Sequence, residues 1–94
     1  MKTITWSEFI TSLQNDNLIT KIDGLNVVIN LFNDNKEISI FWDDNGEEYA
    51  YTIKEEDNKE IPNRENELFL QCDDKDVEEF TFSFYSISKY SFNE

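Results

Sequence analysis

The side chains in this chain that can do chemistry are mostly carboxylates. They come in three runs: Asp43-Asp44 with Glu47-Glu48, Glu55-Glu56-Asp57, and Asp73-Asp74 with Asp76 and Glu78-Glu79. Against 21 acids stand 8 Lys and Arg, for a net charge of −13 over 94 residues. The charge is uneven. Residues 1–42 hold five acids and three Lys, net −2, whereas residues 43–94 hold sixteen acids and five bases, net −11. No His is present, which removes the Ser/His/Asp and Cys/His triads, the usual zinc sites and the commonest general base. The one cysteine, Cys72, has no partner for an internal disulfide or a CxxC cluster. A reactive thiolate needs positive surroundings, and Asp73 and Asp74 supply the opposite, so Cys72 reads as a buried, inert thiol.

Three uses of the carboxylates can be weighed. Asp43-Asp44-Asn45-Gly46 has the residue types of a calcium loop but not its register, because with Gly46 at position six, position one is Phe41. Near Asp73 and Asp76, Lys75 stands where a ligand is needed. Glycoside chemistry asks for two carboxylates with separated pKa values in a cleft, and acids this numerous in so small a domain single out no such pair. The expectation is therefore a protein that is not an enzyme and needs no metal and no cofactor. The third use is electrostatic. Charge runs are ordinarily solvated faces. A net charge of −13 nevertheless exceeds the magnitude of about 2–8 that the solubility of a small domain asks for, and its self-repulsion works against the compact state. Alternate carboxylates on a strand stand about 6.5–7 Å apart, and neighbouring strands about 4.8 Å apart. Duplex phosphates advance about 3.4 Å per strand, so a sheet can present negative points at comparable spacings. The same charge repels nucleic acid and anionic lipid. The partner expected is a basic protein, with no direct nucleic acid and no membrane.

The elements that must carry these acids follow from hydrophobic period. Ninety-four residues make one domain, 1–94. Thr5-Trp6-Ser7-Glu8 fits a capping box, with Ile4 and Phe9 at the positions of a hydrophobic staple. Trp6, Phe9, Ile10 and Leu13 lie on one helical stripe, and Asn15-Asp16-Asn17 ends it. From Leu18 onward the period is two. Leu18–Ile22 leads to Asp23-Gly24, a hairpin signal, and alternating segments follow over 25–32, 38–42, 49–53, 68–72 and 80–85. Asn33–Lys36, Asp43–Gly46 and Asp73–Asp76 read as turns. The polar stretch 54–66 reads as a long exposed connection, with Pro62 blocking a central strand. Tyr90 and Phe92 point to a docked tail. The fold class is α+β: one N-terminal helix packed on an antiparallel, meander-like curved sheet of five to six strands, with partial barrel closure as an alternative. The helix stripe is expected on a sheet containing Ile29, Ile40 and Phe82.

In a meander, successive turns alternate between the two ends of the sheet. One end then collects Asp23, Asp43, Asp44, Glu47, Glu48, Asp73, Asp74, Asp76, Glu78 and Glu79, and these are the expected partner-binding residues. Asn33–Lys36 and 54–66 fall at the other end, where Lys54, Lys59 and Arg64 dilute the charge.

A small, acidic, His-free, aromatic-rich α+β chain, with its acids at Asp43–Glu48 and Asp73–Glu79, resembles the phage-encoded DNA-mimic inhibitors of bacterial defence, the anti-CRISPR and anti-restriction proteins. The resemblance is one of composition across the whole chain. It implies an inhibitor that occludes the Lys/Arg-lined DNA site of a Cas effector, restriction complex or nuclease. Two other functions fit the same composition: an immunity protein capping a nuclease toxin, and a structural or assembly protein of a phage or mobile element. Met1-Lys2 is followed by Thr3, Thr5, Ser7 and Glu8 rather than an apolar run, and no stretch approaches the roughly 20 apolar residues of a membrane span. The expected location is the cytoplasm, that of the host cell for a phage protein.

Overall fold

A computed structural model describes residues 2–22, 24–74 and 77–85. The fold is α+β, with one α-helix and eight antiparallel strands in two sheets among the described residues. The strands are β1 (Lys2–Thr5), β2 (Leu18–Thr20), β3 (Val27–Phe32), β4 (Glu37–Asp44), β5 (Glu47–Lys54), β6 (Glu60–Arg64), β7 (Glu67–Gln71) and β8 (Glu79–Phe84). Helix α1 (Trp6–Gln14) follows β1, and a short 3-10 turn (Glu55–Asp57) links β5 to β6. One sheet has the order β1-β6-β7-β8-β2 and the other β3-β4-β5.

The helix begins as its sequence dictates. The Glu8 amide donates to Thr5 Oγ1 (3.2 Å), and the Thr5 amide donates to Glu8 Oε1 (2.8 Å). Asn15 caps the far end, and Asp16 turns the chain at φ 55°. Trp6, Phe9 and Ile10 are buried and Leu13 is partly so. Phe9 meets Phe82 edge-on at 5.1 Å between centroids, which seats the helix on the larger sheet. The Trp6 indole N–H donates to the Asn35 carbonyl (2.7 Å), which ties the helix to the β3–β4 turn of the smaller sheet. Ile38, Ile40 and Ile53 from one sheet and Ile61, Leu68, Leu70, Phe80 and Phe82 from the other share one core, with Ile29 packed against it.

The alternating segments 25–32, 38–42 and 49–53 form a meander as expected, although its strands extend to 37–44 and 47–54, so that Asp43 and Asp44 belong to a strand and the turn shrinks to Asn45-Gly46. Two features break a single continuous meander. The Asp23-Gly24 signal does not close a hairpin. β2 pairs instead with β8 (Leu18↔Phe84, Thr20↔Phe82), and the chain then crosses to the other sheet at β3. Burial of Leu18 and Thr20 beside the Phe-rich strand outweighs the local turn preference. The second feature is that 60–64, expected within an exposed connection, is a strand. It pairs with β1 (Ile4↔Ile61, Thr3↔Pro62), and both β1 and β6 are additions to the strands read from periodicity. Pro62 is accommodated because the β6–β7 pairing covers Asn63↔Leu68 and Arg64↔Glu67 and stops short of it. Beyond that point Asn58 replaces the ladder. Its amide donates to the Lys54 carbonyl (2.9 Å) and the Gln71 carbonyl (3.0 Å), and its oxygen accepts from the Gln71 amide (2.6 Å). Asn58 is buried, and these bonds meet the requirement that buried polar groups be paired. The suggested docking of Tyr90 and Phe92 lies outside the described residues.

Candidate partner-binding surface

The acidic tip of the smaller sheet is built by a two-residue turn. Asn45 (φ 54°) and Gly46 (φ 86°) take the left-handed conformation of a type I′ hairpin, which Asn-Gly favours. Its register sets Asp44 opposite Glu47 and Asp43 opposite Glu48. Like charges directly opposite on a sheet destabilise it, yet all four are exposed and none pairs with a Lys or Arg among the described residues. Two are partly engaged by neutral donors: the Gly46 amide donates to Asp43 Oδ1 (3.0 Å), and the Tyr49 hydroxyl donates to Glu47 Oε2 (2.7 Å). That bond to Glu47, together with the charges of Glu47 and Asp44, pushes the Tyr49 phenol above its ordinary pKa. Lys21 pairs with Glu67 elsewhere on the molecule.

The second acidic group lies between β7 and β8. Asp73, Asp74 and Glu78 are exposed in the connection. The Cys72 amide donates to the Glu78 carbonyl (2.7 Å), and Glu79 lies opposite Gln71, whose side-chain amide donates to it (3.1 Å). An aromatic cluster joins this hairpin to the first. Trp42 stacks on Tyr49 and Tyr51 (5.4 and 5.3 Å) and meets Phe80 edge-on (5.9 Å). Trp42 directly precedes Asp43 and Phe80 directly follows Glu79, so both acidic turns leave this cluster. Asp23 and Asp76 lie outside the described residues.

The placement of the third acidic run needs correction. The 3-10 turn does lie beside the β3–β4 turn, since the Glu55 amide donates to the Lys36 carbonyl (2.9 Å). The same segment, however, brings Asp57 to a shallow pocket that it lines with Gln71, Cys72 and Asp73. Asp57 and Asp73 are therefore neighbours rather than occupants of opposite ends. The alternation of turns holds within one meander and does not carry from one sheet to another. Near Glu55, Lys36, Lys54 and Lys59 share a depression with Glu37, Glu55 and Glu56, and charge there balances, unlike at the β4–β5 tip.

Cys72 is buried, and its thiol donates to the Thr52 carbonyl (3.6 Å). Burial, then Asp74 and Asp73, pushes its pKa up, consistent with an unreactive thiol. Sequence reasoning passed over the outward positions Val28, Phe32 and Phe41, which are 53%, 40% and 39% exposed. The available signal was the runs Val27-Val28-Ile29, Leu31-Phe32 and Ile40-Phe41-Trp42, which carry apolar residues at both parities. Among the described residues no three His, Cys, Asp or Glu gather as a metal site, and no helix is long and apolar enough to cross a membrane. Comparison with family models, curated proteins and solved structures finds no match, so the chain's own residues carry the functional argument.

Proposed function

We propose that this protein is an acidic inhibitor that binds and occludes the basic nucleic-acid-binding surface of a host defence effector, as a DNA mimic of the anti-CRISPR or anti-restriction type. The observation that carries the reading is the β4–β5 tip, where Asp43 faces Glu48 and Asp44 faces Glu47 with no ion pair to a described Lys or Arg. A Lys/Arg-lined groove built to neutralise DNA phosphates attracts these carboxylates by charge complementarity, and their mutual repulsion is relieved in the complex. Acids from the β7–β8 connection, together with Asp57, extend the negative surface. The reaction partner is a protein acting in the cytoplasm of the host cell, and the inhibitor contributes charge and shape rather than catalysis.

A direct test adds the purified protein to a panel of purified RNA-guided nucleases, restriction complexes and nuclease toxins, and measures DNA cleavage and DNA binding. At least one should be inhibited competitively with DNA, with affinity and on-rate falling as salt is raised from about 50 to about 200 mM. Inhibition of a nuclease toxin alone would reassign the protein as an immunity protein. Absence of inhibition across the panel, or sub-micromolar binding of the chain itself to duplex DNA, would overturn the reading.

A further inference from the structure

The outer face of the β3–β4–β5 sheet departs from what a solvated face requires. Strands with one covered face alternate apolar inward and polar outward. Here the inward set is satisfied by Val27, Ile38, Ile40 and Ile53, all buried, yet the outward set is also apolar in part. Register places Val28 opposite Phe41, and Phe41 opposite Ala50, in one transverse row. Cross-strand neighbours stand about 4.5–5.5 Å apart at Cβ, so the row is a continuous apolar strip. Ala50 is too small to cover its aromatic neighbour, and both Val28 and Phe41 remain substantially exposed. The next row along the strands is Asn30, Ser39 and Thr52, polar and uncharged. On the other side, two residues along from Phe41 and Ala50 and on the same face, lie Asp43 and Glu48. The face thus runs from a carboxylate pair, through an apolar strip, to a neutral polar strip.

We infer that this face is the docking site for a protein partner that presents an apolar patch bordered by Lys or Arg. Charge complementarity selects that occupant. The apolar strip supplies the kind of desolvated centre that dominates interface energy, and the adjoining Asp43–Glu48 pair sets its orientation by attracting a basic border. A second copy of this chain fits poorly, because it carries the same acidic pair and the same net charge of −13. The basic border rests on the inhibitor reading above, whereas the apolar centre rests on the sheet face alone.

The test uses the 15N-labelled 94-residue chain and two defined peptides of equal charge, one alternating Lys and Leu, the other alternating Lys and Ser. The Lys-Leu peptide should bind about tenfold more tightly than the Lys-Ser peptide, with amide shifts centred on Val28, Phe41 and Ala50. The double variant Val28→Thr/Phe41→Thr should lose that preference while still binding the Lys-Ser peptide, and its dispersed spectrum reports retained folding. Equal binding of the two peptides overturns the proposal. So do shifts centred on other strands, a preference that survives in the variant, or sedimentation showing a dimer that the variant abolishes. Nuclear Overhauser contacts from Tyr90 or Phe92 to Phe41 in the free chain also overturn it. The two readings fail separately. Inhibition in the effector panel that survives Val28→Thr/Phe41→Thr retains the inhibitor and rejects this face, whereas the expected peptide result with no effector inhibited retains the face and rejects the inhibitor.

Discussion

Asn58 shows how one side chain substitutes for strand pairing. It bonds the carbonyl and amide of Gln71, which the β6–β7 pairing does not reach, and the carbonyl of Lys54 at the end of β5. Asn58→Ala leaves these part-buried groups without their side-chain partner and should cost about 1–3 kcal/mol, read as a lower urea midpoint with an unchanged m-value. Cys72 makes a residue-scale prediction about pH. Its thiol pKa is raised in the native state by burial and by Asp74 and Asp73. Above the ordinary thiol pKa of about 8.5 the unfolded chain loses the proton first, so the native state binds more protons and its stability falls as pH rises. The contribution is intact below that pH and is lost through the raised value. Cys72→Ala should reduce the alkaline loss seen in urea titrations between neutral and alkaline pH, while Tyr49 and Tyr85, also raised, retain theirs. A titration curve unchanged by the substitution would contradict this assignment.

The turns govern register at the element scale, and two of them differ in how well their residues suit them. Gly46 sits at φ 86° with open space around its Cβ direction, so Gly46→Ala meets no clash and suffers only the left-handed backbone. That substitution should cost about 1 kcal/mol, measurable by thermal unfolding. The β6–β7 turn instead places Glu65 at φ 52° and Asn66 at φ 68°. Glu tolerates this conformation poorly whereas Asn tolerates it well, so Glu65→Asn should stabilise by a few tenths of a kcal/mol up to about 1 kcal/mol. The Asn33-Asp34-Asn35 turn is already suited, with three successive residues near φ 55–64°, all of types enriched there.

Across the whole molecule the dominant property is net charge. With 21 acids against 8 bases, self-repulsion opposes compaction, so the melting temperature should rise with salt. Asp43→Lys/Asp44→Lys removes the opposed pairs at the β4–β5 tip and places Lys against Glu48 and Glu47. This variant should melt higher than the parent at low salt, with the gap closing at high salt. It should also associate with a basic effector at least about tenfold more slowly and no longer inhibit it. Asp73→Lys/Asp74→Lys tests the second acidic group in the same assays. Because Asp57 borders the pocket that Asp73 lines, Asp57→Lys belongs with that group and should weaken inhibition in the same direction. Full inhibition by all three variants would remove the acidic turns from the interface.

Local chemistry determined the elements that depend only on near neighbours. The capping box at Thr5 and Glu8 placed the helix, Asn45-Gly46 placed the β4–β5 hairpin, and the period of two placed most of the strands. The composition determined that the surface is strongly acidic and that no His-based chemistry operates. Only the tertiary structure decided which strands pair. β2 leaves its apparent hairpin to join β8, and β6 forms despite Pro62 because β1 and β7 pair with it from distant parts of the chain, while Asn58 bonds the Gln71 backbone that β6 does not reach. The tertiary structure also decided that Asp57 and Asp73 line one pocket and that Val28 and Phe41 align on an outward face. Period two tells which residues share a side of a strand, but not which neighbouring strand or sheet covers that side. That choice is made by burial between residues far apart in sequence, and it has no local signature.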